Sequence, residues 1–222
     1  FDVFQALIDN AQIALTLPQA EHIAQRAVEA GQLDYALHWA HRNQARLTAS
    51  ERSHLLRAVC ASPTSQGDVL VATAQLYRWG IRSTDAAPLR CAVDSGLGDL
   101  VNFYLRVDGV RYLDANVTVM AGPYLPILHR LLVAGADVKA KSGDGRTLFH
   151  TTRLLTVGDV ERLLEAGLDI NAPSATGATA MQQALAYAPL GVLAFMRQRG
   201  ARLDGIEALA AARQRTEAQI WL

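Results

Sequence analysis

His38 and His41 stand three residues apart, and Asp34 precedes His38 by four. On a helix these spacings bring side chains to one face, so an imidazole pair with a carboxylate could meet a metal ion. A zinc site needs further ligands at a recognisable spacing, and none follows. The other histidines, His22, His54, His129 and His150, form no second pair of this kind. The phosphate-cradling G-x-x-x-x-G-K-[ST], the nucleophile elbow G-x-S-x-G and the zinc helix H-E-x-x-H are all missing. Gly143-Asp144-Gly145 is rich in glycine but reads as a turn. Asp108 with Asp114, and Glu161 with Glu165, have no apolar setting that would raise one acid for proton transfer. Cys60 and Cys91 make no C-x-x-C and read as small apolar residues. The expectation is a chain that is not an enzyme, with no catalytic residues, no metal and no cofactor.

Elements that could position a site must come from an unusual core. Half of the residues are hydrophobic but only 6% are aromatic, so Ala, Leu and Val must fill the interior. That composition suits close-packed helices better than a β-sandwich. The 21 basic and 21 acidic residues cancel, which removes the basic excess expected of a nucleic-acid binder. No apolar run approaches the ~18 residues of a membrane span. Phe1-Asp2-Val3-Phe4 lacks the basic start of a secretory signal, so the expected location is cytoplasmic. Lys139 and Lys141 are the only lysines against 19 arginines, a bias typical of GC-rich genomes that points to a bacterial source.

The chain repeats itself. Ala134-Gly135-Ala136-Asp137-Val138-Lys139-Ala140 returns 32 residues later as Ala166-Gly167-Leu168-Asp169-Ile170-Asn171-Ala172, and more weakly a further 33 on as Arg199-Gly200-Ala201-Arg202-Leu203-Asp204. Each copy follows an amphipathic stretch containing Leu131, Leu163 or Met196. Asp144-Gly145-Arg146-Thr147-Leu148-Phe149-His150 and Ala175-Thr176-Gly177-Ala178-Thr179-Ala180-Met181 hold equivalent places after the first two copies. Ala87-Pro88-Leu89-Arg90 with Gly98-Asp99-Leu100, and Leu55-Leu56-Arg57 with Gly67-Asp68-Val69, extend the pattern upstream. Periods of this length mark units that bury their apolar faces on their neighbours.

These motifs resemble the ankyrin repeat, whose pattern runs D-G-x-T-P-L-H-x-A-A and then L-L-x-x-G-A-D-V-N-A. The match is good over 123–204, moderate over 51–122 and poor over 1–50. Pro stands at the T-P-L-H position only as Pro88, and His only as His150. The unit around Asp114–Pro123 is short, so its first helix or its finger is degenerate. The expected fold is all-α: an ankyrin-type helix-turn-helix repeat solenoid with diverged N-terminal helix pairs and a C-terminal capping helix. Residues 1–50 are the diverged repeats or cap, 51–204 about four ankyrin repeats with one degenerate near 110–123, and 205–222 the capping helix. Glu21–Ala30 and Leu33–Arg42 read as an antiparallel pair around Gly31. Thr48 with Glu51, and Thr156 with Asp159, read as capping boxes. By the resemblance, Thr147 and His150 tie neighbouring turns together.

The resemblance implies a non-enzymatic module that grips another protein through its fingers and concave face. No nucleic acid, membrane or small-molecule substrate is expected. An immunity or sequestering protein for a bacterial toxin or effector would suit a chain of this size. The alternative is the targeting arm or a fragment of a larger enzyme, or of a secreted host-directed effector. The finger tip Lys139, Lys141, Asp144, Arg146, with Arg111, Tyr112 and Arg153, is the expected partner-binding surface. Its positive side chains would meet an acidic patch.

Overall fold

The computed structural model describes residues 22 and 25–206; among them every regular element is helical and there is no strand. No helix among them is long and apolar enough to cross a membrane. The chain divides into two compact units, Phe1–Thr84 and Asp85–Leu222.

The first unit holds α1 (Leu33–Asn43), α2 (Ala49–Cys60) and α3 (Gln66–Arg78), after a helical stretch over 25–29. That stretch ends at Gly31, whose φ of 75° lets the chain reverse into α1. Residues 21, 23 and 24 of the expected first helix lie outside the described residues. The box at the start of α2 forms in full. The Thr48 N–H donates to the Glu51 carboxylate (2.6 Å), and the Glu51 N–H donates to the Thr48 hydroxyl (3.3 Å). Hydrogen bonds from the Thr48 hydroxyl and the Thr48 N–H to its carboxylate hold the Glu51 pKa below its ordinary value. α3 packs on both α1 and α2, burying Leu55, Leu56, Val59, Val69 and Leu76.

The second unit contains α4 (Ala87–Asp94), α5 (Gly98–Val107), α6 (Ala115–Met120), α7 (Leu125–Val133), α8 (Leu148–Thr151), α9 (Val157–Glu165), α10 (Ala180–Ala184) and α11 (Leu190–Gln198). Consecutive helices pair as α4 with α5, α6 with α7, α8 with α9 and α10 with α11. The first member of each pair also touches the next first member, from α4 through α6 and α8 to α10. The second members meet as α5 with α7 and α9 with α11. Each second helix turns its apolar stripe inward; Leu131 and Met196 are fully buried and Leu163 nearly so. After each of α7, α9 and α11 a glycine ends the helix at positive φ: Gly135, Gly167 and Gly200. There the next N–H reaches back to the carbonyl of Leu131, Leu163 or Met196.

The short unit is explained by one connection. Fourteen residues, 134–147, join α7 to α8, and fourteen more, 166–179, join α9 to α10. Only seven, 108–114, join α5 to α6. The connection is therefore the shortened part, and the helix after it is present, with Asp114 as its cap accepting from the Val117 N–H at 2.8 Å. The expected C-terminal capping helix falls almost wholly on residues outside the described range, as does Trp221. Cys60 is buried as expected, whereas Cys91 is only half-buried.

Leu131→Ala is expected to cost about 2–5 kcal/mol, the usual result of emptying a packed site. Gly122→Ala should cost about 1–3 kcal/mol by overpacking. An added Cβ there would lie 2.2 Å from the Thr151 hydroxyl and 2.8 Å from its backbone carbon. Urea denaturation of both variants measures these losses. Wild-type midpoints would show that α6, α7 and α8 are not packed as described.

Candidate functional site

Thr147 and Thr179 open the two shortest first helices, α8 and α10, and each is capped by the residue three positions on. At α8 that residue is His150. The Thr147 N–H donates to His150 Nδ1 at 3.1 Å, which makes Nδ1 the unprotonated nitrogen. Nε2 then donates to the Ala178 carbonyl of the next finger at 3.1 Å. A second finger-to-finger bond runs from the Ala175 N–H to the Asp144 carbonyl at 2.8 Å. Further on, the Asn171 side chain donates to the Gly200 carbonyl and accepts from the Arg202 N–H, each at 2.8 Å. The fingers are thus stitched to one another through backbone groups. The expected tie between Thr147, His150 and the neighbouring turn is present.

Against this stitched edge lies a groove of about 560 Å³. Arg90 and Asp94 of α4, Asn116, Val119 and Met120 of α6, Pro123, Thr151 and the finger residues Ser142, Gly143, Asp144 and Arg146 line it. The finger is folded back as a tight turn, with the Ser142 N–H donating to the Arg146 carbonyl at 2.9 Å and Gly145 at φ 73°. Asn116 holds that turn against α6, accepting from the Gly143 N–H at 3.0 Å. A side chain at Gly145 would strike the Ala175 backbone nitrogen at 2.9 Å, so glycine is needed there on steric grounds as well. Asp144 accepts from Ser142 and from Arg146, and the Arg146 guanidinium is the chief cause that lowers its pKa to about 2. Across the groove Arg90 pairs with the Asp114 carboxylate.

Of the residues singled out in the sequence, Asp144 and Arg146 line the groove and are bound to each other. The others do not line it. Lys139 lies back over Gly167, with Nζ 3.0 Å from where a Cβ would stand. Lys141 is exposed on the same finger. Arg153 is exposed beyond the far end of α8 from Arg146. Arg111 stacks 5.4 Å from the ring centre of its neighbour Tyr112 in the short connection. Sequence reasoning missed Arg90, Asp94, Asn116 and Met120. Their signal was available in the equivalence of α4, α6 and α8, whose exposed sides must share one surface.

Asp34, His38 and His41 are all exposed on α1, and His41 packs its ring 4.5 Å from that of Trp79. Trp39, beside them, is buried. Among the described residues no three His, Cys, Asp or Glu side chains are grouped so as to hold a metal ion. The turn role expected of Gly143–Gly145 holds.

Compared with known proteins, the chain matches no protein-family model and no curated sequence.

His150 sets a pH dependence. Burial pushes its pKa below the ordinary 6.5. The unfolded chain therefore binds a proton more readily than the fold does. The stabilisation is complete above pH 6.5 and declines as pH falls from there through the depressed folded value. Urea midpoints measured from pH 7.5 to 5 should fall, with a slope no steeper than about 1.4 kcal/mol per pH unit for this one group. His150→Gln should lower stability at pH 7 and flatten the slope. An unchanged slope in that variant would assign the dependence to other groups.

Proposed function

We propose that this chain is an ankyrin-type protein-interaction module that binds another protein through the groove beside α4, α6 and the finger 134–147. Its work is binding rather than catalysis. The observation that carries the reading is the construction of the groove. Two successive first helices supply its floor and one rim, and a finger held by Asn116 supplies the other rim. A surface fixed by backbone hydrogen bonds on both sides is already organised before a partner arrives, which lowers the ordering cost of association.

Support for the ankyrin likeness comes from the register of the elements. Second helices begin at Leu125, Val157 and Leu190, and first helices at Ala115, Leu148 and Ala180, intervals of 32 or 33 residues. First helices neighbour first helices along the row, as stacked units require. The exposed lysines of the finger, Lys139 and Lys141, stand beside the groove and suit a role in attracting the partner rather than in holding it.

Photo-cross-linking tests this reading. A benzoylphenylalanine placed at Met120 in the full chain, exposed to a lysate of the source organism, is expected to capture a discrete protein. The same group at Val133, 76% exposed at the end of α7, is expected to capture none. With that partner in hand, Lys139→Glu together with Lys141→Glu should slow association and leave dissociation unchanged, as read by surface plasmon resonance. Capture from Val133 but not Met120 would move the contact to the second helices and defeat the proposal.

A further inference from the structure

Each arginine that lines the groove is paired with a carboxylate of the protein, which leaves one lining acid, Asp94, without a partner among the described residues. Arg90 is held by Asp114, and Arg146 by Asp144. The Arg90 Nε is buried and has no hydrogen-bond partner among the described residues. Both guanidinium charges are thus already matched by a carboxylate of the protein. Asp94 differs: its backbone carbonyl accepts from the Tyr124 hydroxyl at 3.0 Å, but its carboxylate has no hydrogen-bond or ion-pair partner among the described residues.

The position of Asp94 makes that carboxylate harder to explain by folding alone. It is the last residue of α4, where the partial negative charge of the helix end disfavours an acidic side chain. No basic residue stands in the last turn of α4 to offset it. Beside it the floor of the groove is apolar, formed by Val119, Met120 and Pro123. An uncommitted carboxylate at the end of an apolar floor is complementary to a long side chain with an aliphatic stem and a cationic head.

We infer that the groove takes a lysine or arginine side chain from its protein partner, with the cationic head on Asp94 and the stem along Val119, Met120 and Pro123. This rests on the proposed binding role and adds the chemistry of the partner. It also reverses the polarity expected from the sequence, in which basic finger residues alone suggested an acidic partner. The two lysines lie outside the groove lining and would meet a different part of the same partner.

Selection from a random nonapeptide display library on the immobilised full chain tests the inference. The enriched peptides are expected to share a lysine or arginine beside apolar residues. Synthesised and titrated calorimetrically, they should bind Asp94→Asn at least ten-fold more weakly than wild type, and Asp94→Lys not at all. Replacing the peptide's basic residue by norleucine should give the same loss. Val133→Lys is expected to bind like wild type, and no variant should melt below it, because the Asp94 side chain supports no contact in the fold and stands at an unfavourable helix end. Enriched peptides without a basic residue, or basic peptides indifferent to Asp94→Lys, would overturn this inference and leave the binding role standing. An empty selection overturns the inference alone if Met120 still cross-links a partner, and both readings if it does not.

Discussion

A four-residue helix cannot stand by itself. α8 spans Leu148–Thr151 and α10 spans Ala180–Ala184. Nucleating so short a helix costs more than its few internal hydrogen bonds return. Both exist because their neighbours supply what is missing. Thr147 with His150, and Thr179 with Gln182, satisfy the first N–H groups. Leu148 and Phe149 of α8, and Ala180, Met181 and Ala184 of α10, are buried against adjoining helices. The groove depends on this arrangement in turn, since its floor and rims are the outward sides of elements that only packing holds in shape.

Side-chain ties across the fingers do a second job. His150, Asn171 and the Asp144 carbonyl each bond to a group roughly thirty residues further on. These bonds join units in sequence order and leave the finger ends fixed without a strand. A hydrogen bond of this kind contributes only about 0.5–1.5 kcal/mol net. The ties therefore set register more than they add stability. The choice of tautomer at His150 belongs to the same economy: one nitrogen must accept locally so that the other can donate outward.

Helices, caps and turn glycines could be read from the sequence because each depends on residues a few positions apart. The Thr48–Glu51 and Thr156–Asp159 boxes and the glycines after α7, α9 and α11 are local signals, and they recur in the fold. The groove was only partly legible. Asp144 and Arg146 were found because they sit in a repeated motif, yet their mutual pairing was not foreseen, and it removes the free positive charge that the sequence suggested. Arg90 and Asp94 come from a helix some fifty residues earlier, and only three-dimensional neighbourhood brings them to the same surface.

The seven-residue connection 108–114 leaves the groove lopsided. Residues 142–146 rise as a polar wall on one side, whereas no residue of 108–113 lines the other. Main-chain groups of an extended segment would find hydroxyl and carboxylate on one flank and bare helix on the opposite flank. The two flanks of the groove are thus chemically unlike, so the shortened connection gives this surface a sidedness as well as a shape.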